Sequence, residues 1–359
     1  MVRQADRRVT IQEVARAVGV SAATVSVVLN GHDRAVGIRE ATRAAVVEAS
    51  ERLGYRANEA ARSLRRRHSN VVSLLVQDLA NPCFVDIAVA ARAAAEARGY
   101  EVNVVSAGAV DAELRALDRL RGDGSDGVIV ATGRHGTRPA ALELLRDLVG
   151  RGLPAVVLLD RSPDPRVPAI RVDVETGAYV AVEHLLGLGH RRIAHLALHG
   201  DGPIEEEQTS QGDRYRGYSR ALADVGIDPQ PAWLVRGIDT LAGGYAMMQQ
   251  LLTRPVPRPT GVLVYNDLTA VGALRALRDA GIGVPLDMAV IGTDGIELGL
   301  YTDPKLTTID HPRVELGRQA VEALCAQIEG GPQPDTERVL PVRLIVRESC
   351  GGVTTDTSP

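Results

Sequence analysis

The chain has 359 residues, 45% of them hydrophobic, and a formal net charge of −4. That length exceeds one ordinary small domain and that composition supplies a sizeable core, which excludes a fibrous or wholly disordered protein. Residues 1–68 hold 13 Arg against 7 acidic residues, a balance of +6 that leaves −10 for the remainder, so a polyanion or an acidic membrane surface suits one end only.

No run approaches the roughly 18 apolar residues of a membrane span, and the start MVRQADRRVT lacks the apolar centre of a signal peptide. A cytoplasmic protein with no membrane partner is expected. Cys83, Cys325 and Cys350 are odd in number and lack metal-ligand spacing in the sequence, so they read as reduced, and neither a cofactor nor a metal site is expected.

In chain order, three short helical patterns come first, at 11–18, 22–29 and about 40–53, with no strand-like alternation between them. Thr10 and Ser21 precede the first two, where a hydroxyl can accept first-turn N–H groups, and Gly19 takes the tight corner between them. So short a corner makes the helices cross steeply. The segment EAARSLRRRHSN follows, helix-capable and basic, and reads as a linker or hinge. From Val71 onward short apolar runs alternate with amphipathic helices: VVSLLV, VNVVS, GVIVAT, AVVLLD, IAHLAL, GVLVYN and AVIGT. Apolar on both faces, they suit parallel strands covered by helices on both sides. One sheet of that many strands would be large, so two doubly wound lobes are expected, with ligands in the cleft beyond the strands' carboxyl ends. The tail GGVTTDTSP is short and polar and reads as disordered.

VTIQEVARAVGVSAATVSVVLNG, from Val9, resembles the headpiece of the LacI/GalR (lactose-repressor) family, and the likeness continues through ATRAAVVEASERLGYRANEAARSL. Further similar stretches follow in the family's order: NPCF, SDGVIV, LGHRRIAHL, RYRGY, YNDLTAVG, AVIGTDG and LTTI. The resemblance spans residues 9 to 349. It implies an all-α helix-turn-helix headpiece (1–57), a hinge helix and linker (58–69), and an α/β core of two doubly wound lobes of the periplasmic-binding-protein type (70–349), with 350–359 as tail. The first lobe is expected at about 70–170 plus 301–331, the second at about 171–300 plus 332–349.

The resemblance implies a sequence-specific transcriptional regulator, a repressor, that binds a near-palindromic double-stranded operator as a homodimer. In a helix-turn-helix the second helix enters the major groove. By similarity Ala22, Ala23 and Val27 occupy base-reading positions, and Thr10, Ser21, Thr24, Ser26 and Asn30 suit phosphate contacts. Val25, Val28 and Leu29 recur at helical spacing and read as core. The family usually carries Arg at the position of Val27. Arg grips both acceptors of a guanine, whereas Val offers apolar contact only, for example to a thymine methyl. The loop 30–38 is longer than is common in the family, and Arg39 stands where a hydroxyl residue is typical. Leu64 matches the leucine that the family inserts between base steps of the minor groove, with Asn58, Ala61 and Arg62 in the supporting hinge helix; a solvated linker that binds nothing is the alternative.

In the core, Arg214, Asn266 and Asp294 match effector-contacting positions, while Phe84, Asp160 and Ser210 match more loosely; lobe-closing ion pairs are the alternative for the charged ones. The chain has one Phe and one Trp, so stacking is limited to Phe84, Trp233 and tyrosines such as Tyr265 and Tyr301. That favours a sugar or sugar derivative over a purine, and Asp239 stands near where purine-binding members supply an aromatic. A freestanding binding protein of the periplasmic type would share the core but not the basic headpiece. An enzyme would need a nucleophile motif, a phosphate loop or a metal site, none of which the sequence shows.

Overall fold

The computed structural model describes residues 9–29, 37–55, 68–108, 110–120, 124–132, 139–162, 164–200, 202–331 and 335–353. The chain forms two compact units, Met1–Ser69 and Asn70–Pro359.

In the first unit, α1 (Ile11–Val18), α2 (Ala22–Leu29) and α3 (Glu40–Leu53) fall where the periodicity places them. The Glu13 carboxylate accepts from the Thr10 N–H at 2.7 Å and from its hydroxyl at 2.9 Å, fixing the start of α1. The helix ends at Gly19, whose φ of 73° lies in the left-handed region and whose N–H donates to the Ala15 carbonyl. That corner turns α2 away at 104°. Ser21 Oγ then accepts from the Thr24 N–H at 3.0 Å. Val14, Val25 and Val46 are completely buried where the three helices meet.

The second unit runs β1 (Val71–Val76), α4 (Pro82–Glu96), β2 (Glu101–Ser106), α5 (Val110–Arg119), β3 (Gly127–Ala131), α6 (Pro139–Gly150), β4 (Ala155–Leu158), β5 (Ala169–Val172), α7 (Val174–Gly187), β6 (Ile193–Leu198), α8 (Ser210–Ala223), β7 (Leu234–Gly237), α9 (Leu241–Thr253), β8 (Gly261–Val264), α10 (Asp267–Asp279), β9 (Ala289–Asp294), β10 (Thr307–Asp310), α11 (Arg313–Ile328), β11 (Glu337–Leu340) and β12 (Arg343–Ile345). Two six-stranded sheets result, in the orders β11-β5-β4-β3-β1-β2 and β12-β10-β9-β8-β6-β7. All pairings are parallel except that of β10 with β12. In the first sheet Val72, Leu74 and Val76 point toward α4 and α11, while Leu75, Val128 and Val130 meet α5 and α6 on the other face. In the second, helices α9 and α10 approach so closely that a Cβ on Gly244 would lie 2.0 Å from the Thr269 carbonyl oxygen.

Five strands, β5, β7, β10, β11 and β12, are absent from the seven apolar runs noted in the sequence. They are three or four residues long, and those near the sheet edges carry polar residues, so no apolar run marks them. The lobes also divide differently from the expectation. The chain passes between sheets after β5, between β10 and α11, and between β11 and β12, so Thr307–Asp310 belongs to the second lobe and Glu337–Leu340 to the first. Cys350, placed in the tail by its sequence, is buried against the second lobe, 3.3 Å from His184 Nε2. Among the described residues no single helix is long and apolar enough to cross a membrane.

His195 on β6 is completely buried, stacked on Tyr218 at 5.4 Å, with Nδ1 3.1 Å from the Leu263 carbonyl and no partner at Nε2. Burial holds its pKa down at about 4 against the ordinary 6.5. A folded state that resists protonation is favoured over the unfolded chain above about pH 6.5 and loses that advantage as the pH falls from there toward 4. The unfolding free energy of the wild type, followed by the single Trp233, is therefore expected to drop by about 2–3 kcal/mol more between pH 7.5 and 4.5 than that of His195→Gln. Parallel pH profiles in urea titrations would contradict it.

Candidate DNA-binding unit and ligand cleft

Helix α2 presents a face of small and polar side chains opposite its buried valines. Val25 and Val28 are in the core, Ser21 and Ala23 are exposed, and Ala22, Thr24, Ser26 and Val27 are half-buried; Thr10 is exposed ahead of α1. Ala23, Ser26 and Val27 share one face through i, i+3 and i+4 spacing. Asn30, Asn58, Ala61, Arg62 and Leu64 lie outside the described residues.

In the second unit the carboxyl ends of both sheets face one cavity of about 40 Å³. Its lining follows the strands in order. Gln77 comes just after β1, Asn81, Cys83 and Phe84 open α4, Leu159 follows β4, and Val172 and Val174 flank the chain crossing after β5. From the second lobe come Ser210 and Arg214 on α8, Asp239 after β7, Tyr265 and Asn266 after β8, Asp294 at the end of β9 and His311 after β10. Five residues expected at the effector site, Phe84, Ser210, Arg214, Asn266 and Asp294, therefore share one cavity. Asp160 does not join them: it is buried one residue beyond the lining and accepts from the Arg161 N–H at 2.8 Å. The sequence assigned no effector role to Gln77, Cys83 and His311, and noted Tyr265 only for stacking and Asp239 only as standing near where purine-binding members supply an aromatic; all but Cys83, which opens α4, share a place one or two residues past a strand.

The cavity is densely charged. Arg214 is 5% exposed, lies over the Tyr265 ring at 4.5 Å, and donates from Nη1 to the Ser210 carbonyl at 3.3 Å, while its Nε has no partner. No carboxylate stands at ion-pair distance from it among the described residues. Asp294 is buried, which raises its pKa to about 6 against the pull of Arg214 and the Asn81 amide. His311 is buried too, with both ring nitrogens unpartnered; burial, then the charges of Arg214 and Arg313, push its pKa well down and keep it neutral. Asn266 caps α10, its side chain accepting from the Thr269 N–H at 2.8 Å. Behind it, Asp267 accepts from the Thr308 hydroxyl at 2.7 Å and the Ile296 N–H at 2.9 Å; burial pushes its carboxyl well up. Backbone strain gathers here as well. Of the three non-glycine residues at positive φ among those described, Leu159 (66°) and Asp294 (109°) line the cavity.

A helix-turn-helix unit on a two-sheet α/β core of the periplasmic-binding-protein type defines a DNA-binding transcriptional regulator. Residues 10–58 match the model of bacterial regulatory proteins of the lacI family, and residues 182–350 that of a periplasmic binding protein-like domain. The chain is 33% identical over 341 residues to the HTH-type transcriptional repressor CytR of Escherichia coli K12, covering 95% of this chain and 96% of that protein. It is 30% identical over 344 residues to catabolite control protein A of Priestia megaterium (95% and 99%). Among solved structures, the lac repressor dimer bound to operator and the anti-inducer ONPF matches with a TM-score of 0.77 at 28% identity (96% and 99%). A complex of the transcriptional regulator CelR with cellobiose matches with a TM-score of 0.68 at 30% identity (95% and 100%). The chain belongs to the lacI family of bacterial regulatory proteins, a family of repressors rather than enzymes.

The Asn266 cap can be tested apart from any ligand. Asn266→Ala is expected to lower the stability of the core by about 1 kcal/mol, and Asn266→Ser to recover most of the loss. Equal urea midpoints for wild type and Asn266→Ala would show that the cap contributes nothing.

Proposed function

We propose that this regulator binds a small polar effector, a sugar or sugar derivative, in the cleft between its lobes, and that effector and operator DNA alter one another's affinity. The observation that carries the reading is Arg214: a buried guanidinium facing the cavity, with an unpartnered Nε and, among the described residues, no carboxylate at ion-pair distance. Leaving a donor of that charge unsatisfied is costly, and hydroxyl or carboxylate oxygens of a ligand offset the cost. Asp294 and Asn266 supply acceptors and an amide beside it, and Tyr265 and Phe84 a limited apolar surface, a polar-rich mixture suited to a carbohydrate. A structural relative in complex with cellobiose and another with bound ribose support the class.

Polar contacts across the cleft supply the element that an effector can bias. Gln77 of the first lobe hydrogen-bonds Asp239 of the second, and the Asn81 amide donates to Asp294 at 3.4 Å. Arg161 pairs with Asp213 at 2.7 Å, and Arg313 joins Asp86 in the first lobe to Asp310 in the second. A ligand in the cavity would lie beside these contacts and could bias them. On the DNA side, α2 reads the major groove of a near-palindromic operator through Ala22, Ala23 and Val27, with Thr10, Ser21, Thr24, Ser26 and Asn30 on phosphates. Leu64, supported by Asn58, Ala61 and Arg62, wedges the minor groove, and two chains bind as a homodimer.

Two substitutions test the two halves of the reading. Arg214→Ala is expected to weaken effector binding about 10- to 100-fold by calorimetry, the worth of a hydrogen bond to a charged group, and to abolish the ligand-induced change in operator binding. Unchanged ligand affinity would place the effector elsewhere. Val27→Arg is expected to shift preference toward guanine at one symmetric pair of operator positions, by about 1–3 kcal/mol against other bases. Selection from a randomised operator at one fixed salt concentration reads this out, and identical recovered sites for wild type and variant would mean that Val27 does not face the bases.

A further inference from the structure

Beside Asp294 at the cleft stand two groups, Cys83 and His311, that the carbohydrate reading does not use. Cys83 Sγ, an Asp294 carboxylate oxygen and a His311 ring nitrogen all lie within 4.8 Å of one another, and all three residues are buried. These are the donor types of a borderline-soft divalent ion: a thiolate, an imidazole and a carboxylate. We propose that Cys83, Asp294 and His311 form a three-ligand site for a zinc-class divalent transition-metal ion, with a fourth coordination position open to the cleft.

Geometry, satisfaction and charge each support the site. His311 Nδ1 stands 3.5 Å from Asp294 Oδ1, long for a hydrogen bond, but close to the roughly 3.3 Å that separates two ligand atoms of a tetrahedral ion with bonds of about 2.0–2.1 Å. Neither ring nitrogen of His311 has a hydrogen-bond partner although the side chain is 3% exposed, and an imidazole kept neutral by its surroundings has a lone pair to give. Arg214 and Arg313 stand nearby and oppose a cation, but Arg313 is already held by Asp86 and Asp310, and Asp239 adds a carboxylate near Asp294. Burial disfavours the Cys83 thiolate in the metal-free protein; a bound dication reverses that preference and releases the proton, so affinity rises with pH.

The placement gives such an ion a structural consequence. Cys83 sits in the first turn of α4, with its N–H donating to the Asn81 side chain at 3.0 Å, and so belongs to the first lobe. Asp294 and His311 end β9 and β10 of the second. One ion would clasp the two lobes at their carboxyl edges. Its open position would accept water or an oxygen of the effector.

The test uses the full chain stripped of metal by a chelator and titrated with Co²⁺, which reports thiolate ligation through a near-ultraviolet charge-transfer band and tetrahedral geometry through intense visible bands. Wild type is expected to bind one Co²⁺ per chain with both features, displaced by Zn²⁺. Cys83→Ser removes the charge-transfer band, and His311→Gln weakens binding about tenfold or more, each with unchanged circular dichroism; Cys325→Ser and Cys350→Ser keep the spectrum. Absence of the thiolate band in wild type, or its survival in Cys83→Ser, overturns the site. If Cys83→Ser does not fold, His311→Gln decides, and an unchanged cobalt affinity there overturns it equally. Carbohydrate binding by the metal-free protein reports on the effector reading separately, so either reading can fail alone.

Discussion

The carboxyl ends of parallel strands govern where chemistry sits in this molecule. A parallel strand delivers its chain to the same edge every time, and each loop that leaves that edge carries its first side chains over the end of the sheet. Gln77, Leu159, Asp239, Asn266, Asp294 and His311 reach one cavity for this reason, from six different strands. Because both sheets have the same strand order, two such edges face each other, and the cavity is lined from both lobes without any long loop of its own.

Concentrating charge at that place has a cost borne by the rest of the core. Arg214, Asp294, His311 and Asp267 are each at most 6% exposed, and water that would have solvated them is excluded. Burial accordingly moves Asp294 and Asp267 up and His311 down, each toward its neutral form. The neighbouring cores absorb the cost: the second sheet is flanked by two clusters of fully buried aliphatic residues, with Val262, Val264, Ala270 and Leu277 on one side and Ile193, Leu263 and Ile291 on the other. The two carboxyls and the imidazole are thus pushed toward neutrality beside a charged guanidinium, and the positive-φ backbone of Leu159 and Asp294 lies at the same place.

Most of the frame was legible in the sequence because it rests on local signals. The three headpiece helices follow from apolar spacing, from Thr10 and Ser21 before them, and from Gly19 where the backbone must go left-handed. The seven apolar runs gave β1 to β4, β6, β8 and β9, of which β2 lies at a sheet edge, and missed the inner strands β5 and β10. What escaped was decided by pairing at a distance. Glu337–Leu340 is a strand only because Ala169–Val172 offers it a parallel edge, and Thr307–Asp310 joins the second sheet through β9. The cleft was legible in part: Arg214, Asn266 and Asp294 stand in stretches with family likeness, whereas Cys83 and His311, 228 positions apart in the chain, come together only in the fold. The sequence reading of the cysteines as incidental followed from spacing along the chain, which says nothing about spacing across two lobes.

The same two-lobed geometry sets what kind of coupling the molecule can support. A ligand shifts an equilibrium only by as much as it prefers one state over another, and in a cleft that preference is a difference in lobe orientation. The bridging contacts here include four polar sets, at Arg161, Gln77, Asn81 and Arg313, and the apolar contact of Ile296. Arg161 is about a third exposed in its pair with Asp213, which is buried, so solvent screens part of that attraction and the bridge contributes little net stability. Gln77 with Asp239 and Asn81 with Asp294 are single hydrogen bonds, worth on the order of 1 kcal/mol each. The apolar cores lie largely within each lobe, but Ile296, just past β9 of the second lobe, is buried in the core of the first. Most apolar packing is thereby separate from the polar bridges, with Ile296 as the apolar side chain that ties one lobe into the core of the other.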